Sequence, residues 1–475
     1  MLDLIERQTR LTLNQWKIIV AAILGDMLDF FDFYLIGYVL AFIVGPWQLT
    51  FGQSAMVLMS AGLGAVPGAF FWGWMADRVG RRRVFILTAL NFSIPTGLMA
   101  LTPEHGWVYL TFCRFLVGFG VSGLFAVDLP LVQEFVPTYK RGWVGGLVTA
   151  CLPLGNIGGA FLGAYLAPAL GWRGLFAMGL LPALITLLIR AWVPESPRWL
   201  IRKGRIEEAR RSIAWALQMN PQDVIVPATI EDVPHTPWRE LFKYPRSIVV
   251  GCLTSLSQTG GIGLLMWATT LLVLIIKITP AEAAGLMIWV GVAGFAGRLV
   301  CSYANDAFGR RPAGFIVGMG AAFFLALAGF YYDAFIGSVS VFWLCVMAHR
   351  FFGDGSYATT GPYTAEIWPA GLRASGMGFT YGVGNLGKVI GPLGLALICG
   401  QSNFISPKAS LEFVMPAMLF LAFWYALSGT AFLFGIETKG RSIEEIDRAL
   451  TASSPAAETA HVPATAAGTA TGTAT

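Results

Sequence analysis

Apolar blocks long enough to cross a membrane recur along almost the whole of this 475-residue chain. A bilayer core about 30 Å thick needs roughly 20 apolar residues per helix. Blocks of that size lie near 16–44, 54–76, 84–101, 107–130, 143–168, 172–193, 247–275, 283–305, 312–332, 338–362, 375–400 and 412–435. They predict an all-α membrane protein with twelve transmembrane helices. Composition agrees, because 56% of residues are hydrophobic and only 12% are charged. An ordinary soluble domain carries roughly 25% charged residues. So few charges cannot cover a soluble surface, which excludes a soluble globular protein, a disordered chain and a nucleic-acid binder. Cys113, Cys151, Cys252, Cys301, Cys345 and Cys399 sit in apolar runs without paired spacing and read as free, buried thiols. Glu6, Arg7, Arg10 and Lys17 precede the first run, as in a signal peptide. That run is too long and carries three aspartates, so it reads as an uncleaved first helix.

The loop charges orient the chain. Arg78, Arg81, Arg82 and Arg83 follow span 2, Lys140 and Arg141 follow span 4, and six cations from Arg198 to Arg211 follow span 6. Arg310 and Arg311 follow span 8, Arg373 follows span 10, and Lys439 and Arg441 follow span 12. The alternate loops hold only Arg173, Lys277 and Lys408. By the positive-inside rule both termini are expected to be cytoplasmic, in a multi-pass protein of the cell (inner) membrane.

The chain also repeats itself. Gly73-Trp-Met-Ala-Asp77-Arg-Val-Gly80-Arg81-Arg82 closes span 2, and Asn305-Asp306-Ala-Phe-Gly309-Arg310-Arg311 closes span 8. Glu134-Phe-Val-Pro137 closes span 4, and Glu366-Ile-Trp-Pro369 closes span 10. Asp77 and Asp306 lie 229 residues apart, and Glu134 and Glu366 lie 232 apart. The organisation expected is a six-helix half over 1–193, a cytoplasmic linker with amphipathic helices over 194–246, and a second half over 247–435. A cytoplasmic tail over 436–475 is expected to be disordered after about 451. Repeated halves around a midplane site describe a secondary transporter. In the linker, Ile206–Leu217 alternates apolar and charged positions at helical spacing.

Several motifs now point to a family. Asp77-Arg-Val-Gly-Arg-Arg and its second copy resemble the signature loop of the major facilitator superfamily. Pro194-Glu195-Ser196-Pro197-Arg198 after span 6 and Glu437-Thr438-Lys439-Gly440 after span 12 resemble its sugar-porter branch. The resemblance runs from about residue 16 to 449 and implies the two-half fold of that superfamily. Span 7 keeps Gln258 but has Ser257, Gly263 and Ala268 where hexose porters carry polar or aromatic residues, and Gly361 replaces a tryptophan before the span-10 glutamate. A hexose site must hydrogen-bond most of the sugar's hydroxyls, so these losses weigh against a hexose. In span 1, Gly25-Asp26-Met-Leu-Asp29-Phe-Phe-Asp32-Phe-Tyr34 resembles the metabolite:proton symporters, which move organic acids, osmolytes and related metabolites.

An ionised side chain at mid-bilayer costs roughly 2.5–3.5 kcal/mol, so it needs a partner or a use. Asp29 and Asp32 share one face of span 1, and Arg114 lies well inside span 4. A carboxylate held by a guanidinium stays ionised, and one drawn away into a dry site binds a proton. The resemblance implies that Asp32 is the coupling carboxylate and Arg114 its partner, with Asp29 beside them. The alternative is a permanent structural salt bridge. Asn156, Gln258, Trp267, Asn385 and Lys388 are candidate substrate-binding residues on spans 5, 7 and 11, against inter-helix hydrogen bonding, packing or snorkelling. The roles of Asp128, His349, Arg350 and Asp354 stay open, although Arg350 and Asp354 have the spacing to pair with each other. A cytoplasmic gate is expected from Asp77, Arg78, Arg81, Arg82, Glu134, Arg141, Glu195 and Arg198 in the first half. Asp306, Arg310, Arg311, Glu366 and Arg373 supply its counterpart. Each Glu–Arg bridge would form on closure and break on opening.

The sequence has no nucleophile–base arrangement, phosphate-binding glycine loop or His/Cys metal spacing, so neither an enzyme nor a metal or other cofactor is expected. The expectation is a proton-coupled symporter of an organic acid or aromatic compound, working by alternating access. A sugar porter or uncoupled facilitator, or a transporter-like nutrient receptor, stays as the alternative. Its expected partners are a small-molecule substrate, the proton and membrane lipid, with no nucleic acid, and it is expected to function as a monomer.

Overall fold

The protein is described here by a computed structural model covering residues 3–6, 8–180, 193–224, 237–369, 372–405, 407–439, 441 and 445–446. Helices dominate, because lipid offers no partner to an unpaired backbone group. Span 1 is Leu13–Ile43, span 2 Phe51–Val79, span 3 Arg81–Met99 and span 4 Trp107–Glu134. Span 5 comes in two pieces, Thr138–Ala150 and Leu152–Tyr165. The segment Ala167–Met178 is broken at Gly171, at φ 68°, where the chain passes from span 5 to span 6, and the later part of span 6, like the tail after 451, lies outside the described residues. In the second half, span 7 is Pro245–Ser255 and Ser257–Ile276, span 8 Pro280–Phe308 and span 9 Arg310–Phe330. Span 10 is Val341–Glu366, span 11 Arg373–Asn385 and Gly387–Cys399, and span 12 Pro407–Phe434. The hairpin Phe335–Ile336 with Val339–Ser340 joins spans 9 and 10.

Local chemistry sets the ends. Thr12, Thr50 and Thr279 start spans 1, 2 and 8 with capping boxes, in which the threonine hydroxyl accepts from the backbone of Gln15, Gln53 or Glu282. Spans 5 and 11 break where the sequence invites it, just before Pro153 and between Gly384 and Gly387. Span 7 breaks at Leu256, where neither proline nor glycine adjoins.

The apolar runs of spans 2 and 3 end at 76 and begin at 84, but the helices approach each other more closely than that gap. Helix continues through the polar motif to Val79 and resumes at Arg81, so the turn is Gly80 alone, at φ 108°. Gly309, at φ 101°, does the same between spans 8 and 9. These two turns define one end of the bundle, the basic face.

The halves meet through span 1 with span 7, span 2 with span 11, and span 5 with span 8. Among the described residues, three backbone hydrogen bonds join the halves: Phe51 N–H to Asn403 O, Gly52 N–H to Gln401 O, and Ile405 N–H to Leu49 O. All three lie at the face opposite the basic loops. Nearer the basic face, Gly146 on span 5 and Gly378 and Gly382 on span 11 border open space. Beneath that face the helix Ile206–Leu217 buries Ala209, Ile213 and Ala216, and its Trp215 carbonyl accepts from Asn14 Nδ2 at 2.7 Å.

Candidate functional site

The bilayer's penalty on charge makes the buried ionic groups the first place to look. Asp26, Asp29 and Asp32 on span 1 are all buried, as are Arg114, Arg298, Arg350 and Asp354. They form two clusters on either side of span 1. In the first, Arg114 Nη1 lies 3.8 Å from Asp32 Oδ2. The same guanidinium donates to the main-chain carbonyls of Asp32 and Phe33, each at 3.1 Å. Asp32 Oδ1 accepts from the Thr96 hydroxyl of span 3 at 2.9 Å, while Oδ2 has no hydrogen-bond partner. Asp29 lies within electrostatic reach of Lys388, Asp32 and Arg114. Lys388 comes from the other half and sits 5.2 Å from the Phe33 ring centre.

The second cluster lies in the second half. Arg350 Nε meets Asp354 Oδ2 at 2.8 Å, and Arg298 Nη2 lies 3.6 Å from Asp354 Oδ1. Both arginines reach the first half: Arg350 stands 5.9 Å from the Tyr34 ring centre, and Arg298 5.8 Å from that of Phe30. Arg298 also donates to the Thr149 carbonyl of span 5. His349 Nδ1 bonds the Ala321 carbonyl at 3.1 Å. A carbonyl only accepts, so the proton is on Nδ1.

At the basic face the same device appears twice. Glu134 takes Arg81 and the Ser196 hydroxyl; Glu366 takes Arg310, at 3.4 Å, and the Thr438 hydroxyl. Glu195 accepts from Arg82 N–H at 3.0 Å, and Glu437 from the N–H groups of Arg310 and Arg311 at 2.9 and 3.0 Å. Burial of Glu437 opposes its charge, but backbone N–H donors from Lys439, Arg311, Arg310 and Thr438 outweigh it and hold the carboxyl below its ordinary range. None of these bonds crosses between the halves; each joins a half to the segment that directly follows it or to itself. Arg310 also pairs with Asp306 at 2.7 Å, Arg141 with Glu6 at 3.5 Å, and Arg78 stacks on Trp74 at 4.2 Å. Arg311 donates to the carbonyls of Phe432 and Leu433, which cap the end of span 12. The Nε atoms of Arg198 and Arg373 have no hydrogen-bond partner.

The model of the family described as "Sugar (and other) transporter" matches residues 17–450. The chain belongs to that family. Within it, the chain is 28% identical to the niacin transporter NiaP of Acinetobacter baylyi, over 94% of this chain and 100% of the relative. It is 26% identical to the cis,cis-muconate transport protein of the same organism, over 84% and 91%. In fold it is similar to the partially occluded, inward-open xylose transporter XylE of E. coli, with TM-score 0.70 and 21% identity over 91% and 100% of the two chains. The protein is thus a multi-pass membrane transporter of the major facilitator type, with the two-half, twelve-helix fold, and not an enzyme.

In this family member the structure brings together Asp29, Asp32, Arg114 and Lys388. Asn385 is buried with its Oδ1 unpartnered. Asn156 Oδ1 accepts from the Tyr38 hydroxyl at 2.9 Å, a bond within the first half. Trp267 stands apart, its ring 5.7 Å from Phe51 in an apolar crevice toward the opposite face. The side chains of Asp77, Asp128 and Gln258 lie outside the described residues. Sequence reasoning placed Glu195 and Arg198 in the cytoplasmic network, and the structure gives the Glu195 carboxylate to main-chain amides of Arg82 and Ser196. Arg298 was missed, although a lone arginine within the apolar run of span 8 is itself a signal.

Proposed function

We propose that this transporter is a proton-coupled symporter of a small organic acid, cycling by alternating access as a monomer. The observation that carries the reading is the Asp32–Arg114 pair: a carboxylate buried in mid-helix, held at 3.8 Å, with one oxygen lacking a hydrogen-bond donor. A pair so loosely held can part by a local shift of either side chain when the cavity between the halves changes sides and water reaches the unpartnered oxygen, and the freed carboxylate then takes a proton. Niacin and cis,cis-muconate, named for two relatives, are both carboxylic acids. In this reading the basic face is cytoplasmic in the inner membrane, both termini lie there, and exposed aromatics such as Phe70, Phe112 and Phe323 contact lipid. The Glu134 and Glu366 networks tie the loops of each half into a rigid end, so that each half rocks as a body.

The test is uptake by the full chain in proteoliposomes with an imposed pH gradient. Asp32→Asn should insert and fold but lose gradient-driven accumulation of nicotinate or benzoate. Accumulation at the wild-type level would remove Asp32 from the coupling step.

A further inference from the structure

The second buried cluster has donors whose hydrogen-bonding capacity is left largely unfilled. Asp354 engages Arg350 on its Nε side, which leaves the opposite edge of the guanidinium, Nη1 and Nη2, without hydrogen-bond partners. The Tyr425 hydroxyl has no hydrogen-bond partner either, and Arg298 Nη2, ion-paired with Asp354 Oδ1 at 3.6 Å, makes no hydrogen bond. Arg350 is 1% exposed, Arg298 4% and Tyr425 0%. Orphaned donors this deep are rare and ask for an acceptor. They also converge. Span 7 passes them with Gly261, and a Cβ there would run into the Tyr425 hydroxyl and lie 3.9 Å from Arg350 Nη1. With two arginines against one aspartate, the cluster carries one net positive charge. It touches the first half through the Tyr34 and Phe30 rings, within one helical turn of Asp32.

We infer that Arg350, with Arg298 and Tyr425, is the seat of a carboxylate on the transported solute. The free edge of a guanidinium presents two parallel N–H groups, the geometry that grips a carboxylate with two bonds. Tyr425 adds a third donor. His349 Nε2 is an acceptor in this tautomer and takes no part in holding an anion. The seat complements the symport reading on which it rests. The proton taken up near Asp32 adds one positive charge to the interface between the halves, and the solute's carboxylate at Arg350 cancels it. Proton and anion then cross together with no net change in buried charge.

The experiment uses the full chain purified in detergent. Thermal stability is titrated with nicotinate, benzoate and cis,cis-muconate, each against its amide. At least one acid should raise the melting temperature while its amide does not. Arg350→Gln should weaken that acid about tenfold or more, and Tyr425→Phe by a smaller factor in the same direction. Asp32→Asn should still bind the acid, so a failure of coupling there is distinguishable from a failure of the seat. If Arg350→Gln does not fold, Arg298→Gln and Tyr425→Phe decide, with nicotinamide as the neutral control. The inference is overturned if no acid in the panel binds, if acid and amide bind alike, or if the folded variants bind the acid as tightly as the wild type.

Discussion

Arg114 shows how one side chain serves two purposes. Its bonds to the carbonyls of Asp32 and Phe33 pin span 4 to span 1, and its charge faces the Asp32 carboxylate. Arg114→Lys keeps the charge but loses the fork, so partial accumulation is expected; Arg114→Ala should lose it. Transport per folded molecule is the measure, because both variants also remove pinning bonds. Wild-type transport by folded Arg114→Ala would leave Arg114 with the structural purpose alone. At the basic face Glu437 gives a pH prediction. Its carboxyl is depressed in the fold, so its contribution to stability is full above the ordinary carboxyl range, about 4.3. That contribution is lost as pH falls through the lower folded value. Glu437→Gln should flatten the acid limb of a melting-temperature profile, and an unchanged limb would count against the amide cradle. The charges of Asp32 and Arg114 were legible in the sequence because an apolar background makes each one costly. The structure does bring the two together, but their further partners, a hydroxyl on span 3 and two main-chain carbonyls, depend on packing across helices and left no trace in spacing.

Among the elements, the single-residue turns were the least legible. Polar residues from Asp77 onward end the hydropathy signal, yet helical geometry continues through them to Val79. Gly80 then reverses the chain at a φ that side chains avoid, and a Cβ there would lie 2.5 Å from Glu195 Oε2. Gly80→Ala therefore meets backbone strain of about 1–3 kcal/mol and a blocked carboxylate together. The expected result is a lower melting temperature with a reduced folded yield; wild-type values in both would show that the turn relaxes freely. By contrast, the linker helix at Ile206–Leu217 was easy to read. Its charged and apolar positions alternate at helical period, and nothing in the surrounding sequence competes with that pattern.

At the level of the whole molecule, the joined face gives a direct handle on the cycle. A Cβ on Gly52 would lie 3.2 Å from Gln401 Cβ, close to the spacing of about 3.5–4.5 Å across a disulfide. Gly52→Cys with Gln401→Cys should form a bond under oxidation, stop transport, and release it on reduction. Continued transport by the fully oxidised pair would mean that this seam does not open. The overall architecture was legible because hydropathy, loop charge and duplication agree, while the seam was not, since it is made of backbone bonds between distant loops. The glutamates at the basic face also bear on how the protein is made. Arg82 and Glu195 are 113 residues apart, and Arg310 and Glu437 are 127 apart. The start of span 3 therefore waits uncapped until its half has almost left the ribosome, and span 9 waits in the same way. Each half is latched by nearly the last residues of it to be synthesised, so a nascent chain cut short of Glu195 or Glu437 has its helices but not their fastening.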